Sequence, residues 1–294
     1  QWPAQHSKPA RSSNATTTSV PVWRCHGSLH NPNAVLTSTT DNNRAPRSLW
    51  RFVPTPLAWV ALQLHLVFLG ASSLLWNLVA LPLNWLLPER VGRTLGRQGV
   101  AWVYGSFWRV ATATGMLRLD SEALRPLRDE PGLVVVANHP SMLDAMMLVA
   151  ELPRGACIMK ANLLRNPFLG PGARLARYIP NDSPHGMIRA SVAALQEGGQ
   201  LVLFPEGTRT QRPLSPLTGS LAVIAKRARA PVQTVFIDTD SPYLGKGWPI
   251  WRLPPLPIVF RARLGRRFEP RENHHELVAE VQVHLMQGLR GGPM

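Results

Sequence analysis

Acidic residues are scarce in this sequence: 17 Asp and Glu stand against 32 Lys and Arg, leaving a formal charge of +15. Such a surface seeks polyanions, whether nucleic acid, acidic lipid headgroups or an acidic carrier protein. Cysteine is scarcer still. Cys25 and Cys157 lie far apart, with no Cys-x-x-Cys or Cys/His ligand spacing, so neither a disulfide framework nor a zinc site is indicated. Between Phe52 and Pro88 charge is missing altogether, with no Asp, Glu, Lys or Arg in the stretch. The arginines elsewhere are spread along the chain rather than gathered into one recognition helix. Beside a long uncharged segment, that distribution favours lipid over nucleic acid as the polyanion.

Residues 1–45 are rich in Ser, Thr, Asn, Pro and Arg and hold no helical or strand period, which predicts a disordered tail. Residues 46–97 read as a membrane-anchoring helical segment, and 98–294 as the remaining domain. A helix needs ~20 apolar residues to cross a bilayer, so the uncharged stretch exceeds one span and falls slightly short of two. Arg44, Arg47 and Arg51 precede it, and Arg90, Arg93 and Arg97 follow it. Cations at both ends disfavour a single crossing. Gly70, Ser72 and Ser73 offer a bend between Pro56–Leu69 and Leu74–Leu87, which predicts a bent or re-entrant pair. Trp50, Trp59, Trp76 and Trp85 read as interfacial anchors.

Gln98 to Leu117 carries apolar residues at helical spacing. Beyond it, short apolar runs at Leu133–Val136, Ala156–Met159, Leu201–Phe204, Val232–Ile237 and Ile258–Phe260 alternate with helical patterns at Leu143–Leu152, Ala161–Leu175, Met187–Leu195 and Leu221–Arg229. The alternation predicts an α/β sheet with helices outside, closed by an amphipathic stretch at Glu276–Leu289.

Two of those runs end in polar motifs. Asn138-His139-Pro140-Ser141-Met142-Leu143-Asp144 follows the first, placing a carboxylate five residues after a histidine across a strand-to-helix turn. A carboxylate bonded to one ring nitrogen raises the basicity of the other, so the pair suits a general base. Phe204-Pro205-Glu206-Gly207-Thr208-Arg209 follows a second run and opens onto the same sheet edge. Ser141 lacks a G-x-S-x-G elbow and reads as a turn residue rather than a nucleophile.

The two motifs resemble the N-H-x-x-x-x-D and F-P-E-G-T-R blocks of the glycerophosphate and lysophospholipid acyltransferases. They stand in the family's order, with Lys160 and Phe168-Leu169-Gly170 between them and Ala230-Pro231-Val232 similar to its fourth block, so the resemblance covers about 119–265. It implies an α/β acyltransferase fold, a mixed sheet flanked by helices, with an N-terminal membrane-embedded segment. It implies acyl transfer from acyl-CoA or acyl-ACP, as co-substrate rather than bound cofactor, to a lysophospholipid hydroxyl, most simply that of 1-acylglycerol-3-phosphate. His139 is then the base and Asp144 its orienting partner. Glu206, Gly207, Thr208, Arg209, Lys160 and Arg177 are the expected substrate-binding residues, with no metal. Backbone N–H groups near Gly207, or Arg209, are the expected oxyanion donors. The implied partners are the bilayer, the lipid acceptor and the thioester donor, with no nucleic acid, at the cytoplasmic face of a bacterial inner membrane.

Two positions depart from the family pattern. Its G-x-I-P-x-x-R block is met by Arg177-Tyr178-Ile179-Pro180-Asn181-Asp182-Ser183, and Leu217-Thr218-Gly219 lacks the common lysine. An acceptor without phosphate, such as a lyso-aminolipid or specialised lipid, therefore stays open. The composition by itself also admits a non-catalytic basic protein that binds membranes or nucleic acid.

Overall fold

The computed structural model describes residues 49–210 and 214–290; the expected tail at 1–45 lies outside them. Helix α1 (Thr55–Leu86) is followed by α2 (Glu89–Ala113), and then by β1 (Leu117–Asp120), β2 (Val134–Ala137), α3 (Met142–Glu151) and β3 (Gly155–Met159). After them come α4 (Gly170–Leu175), β4 (Ile179–Pro180), α5 (Pro184–Gln196), β5 (Gln200–Leu203), α6 (Ser220–Ala228), β6 (Val232–Thr239), β7 (Ile258–Phe268) and α7 (His274–Arg290).

The seven strands form one sheet in the order β1-β7-β6-β2-β5-β3-β4. All neighbours are parallel except β6 and β7, so the sheet is mixed, as the motif resemblance implied. A parallel strand covered on both faces must be apolar throughout, and β2 is: Val135 and Ala137, with Leu133 just before the strand, enter one core while Val134 and Val136 enter the other. Phe107 and Trp108 of α2 and Leu143 and Met147 of α3 fill the first core. Leu221 and Ile224 of α6 and Leu277 and Val281 of α7 fill the second.

The strand expectations missed the edge strand β1, whose Leu-Arg-Leu-Asp alternates instead of running apolar, and β4, whose two residues are too short to show a period, and β7 runs on to Phe268 through arginines. The alternation of β7 over 260–263 is itself the strand pattern, since Arg261 and Arg263 point outward between buried Phe260 and Ala262. The helix expected over 161–175 is divided at Asn166-Pro167 into a 3-10 turn (Ala161–Arg165) and α4.

The segment expected as a membrane anchor differs from expectation in where it breaks. α1 continues through Gly70, Ser72 and Ser73, and the break falls at Leu87-Pro88, so the hairpin is α1 with α2. Proline restricts the residue before it to extended backbone, whereas an isolated glycine or serine leaves a helix intact when one face is packed. Among the described residues α1 is the one helix long and apolar enough to cross a membrane, by length and composition. Its buried residues, Ala58, Leu62, His65, Ser73, Asn77 and Ala80, form a single stripe. Polar links fasten that stripe along its length. Trp59 Nε1 donates to the Trp251 carbonyl at 2.7 Å, and His65 Nε2 meets Thr114 Oγ1 at 2.9 Å. Asn77 donates to Phe168 O at 2.8 Å and accepts from Gly172 N at 2.7 Å, while Asn84 donates to Pro171 O at 3.1 Å.

Arg97, expected as a flanking cation, turns inward instead. It is buried and donates to Ala176 O at 3.1 Å and Arg154 O at 2.9 Å, and burial lowers its pKa to about 10. Gly96 beside it lets α2 meet α4, since a Cβ there would lie 2.4 Å from Ala176 N.

Candidate active site

The chain emerging from β2 carries Asn138, whose side chain donates to Ile237 O at 2.9 Å and accepts from Ile237 N at 2.8 Å. This cross-link to β6 fixes the strand end, so the next residue, His139, leaves the sheet in a defined direction. Ser141 then caps α3. Its hydroxyl accepts from Leu143 N at 3.2 Å and donates to Tyr243 O at 2.8 Å, and Asp144 completes a capping box by accepting from Ser141 N at 2.9 Å.

The other Asp144 oxygen lies 2.6 Å from His139 Nδ1. Asp144 is wholly buried, while the His139 side chain keeps 20% exposure. The His139 ring stacks on Phe204, with centroids 4.2 Å apart and planes at 24°. The two contacts fix both the tautomer and the plane of the imidazole, because a carboxylate on Nδ1 keeps the proton there. Nε2 makes no hydrogen bond among the described residues, leaving it able to accept a proton. Burial pushes the Asp144 carboxyl above the usual aspartate range, and the bonds from His139, Ser141 N and Ala145 N pull it back. A carboxylate so little solvated holds the imidazole N–H strongly.

The second motif braces the first. Thr210 Oγ1 accepts from His139 N at 2.7 Å and donates to the Glu206 carboxylate, while Thr210 N donates to His139 O at 2.7 Å. The other Glu206 oxygen accepts from Ser215 N at 3.2 Å. Gly207 takes φ +65°, in the left-handed region, and its N–H closes a turn onto Phe204 O at 3.0 Å. That N–H is spent within the turn. Arg209 Nη1 donates to Leu244 O at 2.9 Å and Gly245 O at 2.7 Å, which ties the motif to the loop after β6. Thr208 is exposed on the same turn.

His139, Asp144, Glu206, Gly207, Thr208 and Arg209 are thus brought together at the ends of β2 and β5. Lys160 and Arg177 are not joined to them by any hydrogen bond or ion pair among the described residues. Lys160 is exposed at the end of β3, and Arg177 pairs with Glu89 at 3.5 Å. Ser183 caps α5 by accepting from Gly186 N at 3.2 Å, so a helix start occupies the position of the missing arginine.

Thr210 and the Tyr243–Gly245 turn escaped the sequence reading. Thr210 adjoins a motif and was within reach of it; nothing in Tyr243-Leu244-Gly245 signals contact with residue 141 or 209.

An apolar cavity of about 410 Å³ begins at Met142 and Leu143, next to the dyad, and extends between α1, α2, α3, β3 and α4 past Leu69, Val103, Met146 and Ala173. Cys157 lines it, with its thiol pushed up to about 12 by burial. A polar pocket of about 420 Å³ lies on the β6 side of the same loop, bounded by Asn138, Pro140, Thr210, Asp238, Asp240 and Arg261. Among the described residues no cluster of His, Cys, Asp or Glu is suited to hold a metal ion.

Two comparisons with known proteins bear on this arrangement. Residues 118–238 match the model of the Acyltransferase family. The fold is similar to the crystal structure of the 1-acyl-sn-glycerophosphate (LPA) acyltransferase PlsC from Thermotoga maritima, at 20% identity and TM-score 0.60, over 81% of this chain and 99% of that one. The His139–Asp144 turn and the Glu206–Arg209 turn both lie within the residues that the family model matches, on a fold similar to that of PlsC.

Proposed function

We propose that this protein transfers a fatty acyl group from acyl-CoA or acyl-ACP to the hydroxyl of a lysophospholipid at a membrane surface, with 1-acylglycerol-3-phosphate the best-suited acceptor. One observation carries the reading: the 2.6 Å His139–Asp144 pair stands at the head of an apolar cavity that starts with the two residues following Ser141. His139 Nε2 takes the acceptor's hydroxyl proton while Nδ1–H stays on Asp144. The oxygen attacks the thioester carbonyl, the tetrahedral adduct expels the thiolate, and the imidazolium returns the proton to sulfur. No enzyme nucleophile is required. The acyl chain fits the cavity, whose lining is predominantly apolar.

The membrane part of the reading is supported by α1. The links at Trp59 and Asn84 are 25 residues apart, so ~37 Å of helix is held against the domain. The outer face keeps Leu64, Val67, Phe68, Leu75 and Leu78 exposed. A helix fastened to its domain along one side while presenting apolar residues on the other lies in the interface rather than crossing it. The +15 charge suits an anionic leaflet. We take that leaflet to be the cytoplasmic one of a bacterial inner membrane, where a CoA or carrier-protein donor is met.

The test is product analysis by mass spectrometry after incubating the purified protein with mixed acyl thioesters and lyso-lipids. Phosphatidate formed with release of thiol is the expected result; no thioester consumption with any acceptor sinks the reading. A second reading, a lyso-aminolipid acceptor, is favoured by Ser183 in place of arginine and by Asp240 in the polar pocket beside Thr210. Turnover with an amino-headgroup acceptor and none with lysophosphatidate selects it.

A further inference from the structure

We propose that the loop from Tyr243 to Arg252 is a second bilayer-contacting element, seated in the same lipid surface as α1, and that it forms the lipid-side wall of the acyl cavity. This rests on the membrane-surface reading of α1 given above.

The loop joins β6 to β7, and its two ends behave differently. Its root is fixed to the catalytic turn: Tyr243 O accepts from Ser141 Oγ at 2.8 Å, Leu244 O from Met142 N at 3.2 Å, and Gly245 O from Arg209 at 2.7 Å. Its tip turns outward. Ile250 is 49% exposed and Trp251 67% exposed, a costly display of apolar area in a loop that has no other reason to face water. The Trp251 carbonyl is held by Trp59 of α1, so the tip adjoins the exposed Leu57, Trp59 and Val60 of that helix. The apolar surface is therefore continuous from helix to loop.

The chemistry of the tip suits a headgroup boundary. Indole rings favour that depth, being apolar with one polar edge. Arg252 lies over the Trp248 ring at 4.6 Å, and Lys246 adds a second cation, both suited to anionic headgroups. Ile250 also lines the cavity, together with Met142, Leu163 and Phe168, and all of them are exposed as well. Residues that are both lining and exposed mark the cavity's mouth. With the tip in lipid, that mouth opens into hydrocarbon, and an acyl chain enters without crossing water.

The experiment places a bimane fluorophore at single cysteines, Trp251→Cys, Val67→Cys on α1 and Val283→Cys on α7, in a full-length Cys25→Ser background with the cavity-lining Cys157 retained and the background protein labelled in parallel as the blank. Each labelled protein is first checked for thioester turnover, then bound to phosphatidylcholine/phosphatidylglycerol vesicles carrying doxyl groups on the lipid chains. Quenching at 67 and 251 but not at 283 is expected. Quenching at 67 without 251 overturns the loop proposal and leaves the α1 reading standing. Quenching at neither removes the membrane reading and the loop with it, and quenching at all three shows non-specific insertion and overturns the proposal. Protection of 251 from iodide without chain quenching also overturns it, in favour of a protein partner. Independently, Trp251→Glu should weaken vesicle partitioning by about tenfold, whereas Val283→Glu should not.

Discussion

Replacing Asp144 by Asn separates the catalytic role proposed for the carboxylate from its structural one. The side chain is wholly buried and holds His139 Nδ1 at 2.6 Å and Ser141 N at 2.9 Å. Asparagine fits the same space and can still accept from Ser141 N, so the start of α3 survives. Its NH2 group, however, turned toward Nδ1, forces the imidazole proton onto Nε2, where it blocks removal of the acceptor's proton. The charge-assisted bond lost is worth about 1.5–3 kcal/mol. Release of a buried carboxylate's desolvation penalty offsets it by a similar amount. Stability should therefore change by only about 1 kcal/mol, while turnover falls by about 10³- to 10⁴-fold, the cost of a wrong tautomer. The pH dependence carries a sign. Burial raises the Asp144 pKa in the fold above its unfolded value, so this group's favourable term is present below the unfolded pKa and is lost as pH rises through the folded one. An asparagine in its place carries no such term, so the Asp144→Asn variant should compare best with wild type at neutral pH and lose ground as pH falls. Thermal unfolding from pH 4 to 8 and thiol release from an acyl thioester measure both parts. Turnover above about a tenth of wild type in a folded variant would refute the assignment of Asp144.

Four further outcomes are expected. Thr210→Val should remove the bridge between His139 N and Glu206, costing about 1–3 kcal/mol in chemical unfolding and lowering kcat more than it raises KM. Phe204→Ala should lose a stacking contact worth about 0.5–1.5 kcal/mol and lower turnover while leaving vesicle binding intact. Ala173→Leu, on the cavity wall, should shift the ratio of long- to short-chain thioester turnover toward short chains by about tenfold, read by competition between thioesters. Cys157 should resist maleimide at neutral pH in the folded Cys25→Ser protein and react on unfolding, because its thiol is pushed up to about 12.

The sheet was legible from sequence wherever strands are buried on both faces, because burial leaves continuous apolar runs such as Leu133–Val136 and Leu201–Phe204. It was not legible at β1 and β4, where a few residues borrow their pairing from a neighbour. The sequence motifs placed His139 and Asp144 at a turn, and the 2.6 Å contact follows from a capping box that the Ser141-x-x-Asp144 spacing already encodes. Motif residues do not all face one ligand, however. Glu206 spends both oxygens on its own loop and Arg209 spends Nη1 on two carbonyls, so their positions describe how the turn is built as much as what it binds.

The hairpin of α1 and α2 shows why charge patterns near an apolar stretch are ambiguous. Arg93 and Arg97 follow α1 as flanking cations should, yet Arg93 pairs with Glu197 and Arg97 turns into the domain to satisfy two carbonyls. Composition records that a cation is near lipid-like sequence but not which way its helix is turned. The break at Leu87-Pro88 lets α2 fold back alongside α1, and once it does, Arg97 faces α4 across Gly96 instead of headgroups. The same fold-back presses Asn77 and Asn84, invisible in a hydropathy profile, onto the carbonyls of Phe168 and Pro171. Those amides distinguish a helix lying along a domain from one leaving it. A lone transmembrane span would have to bury each amide in hydrocarbon with only its own helix carbonyls for partners.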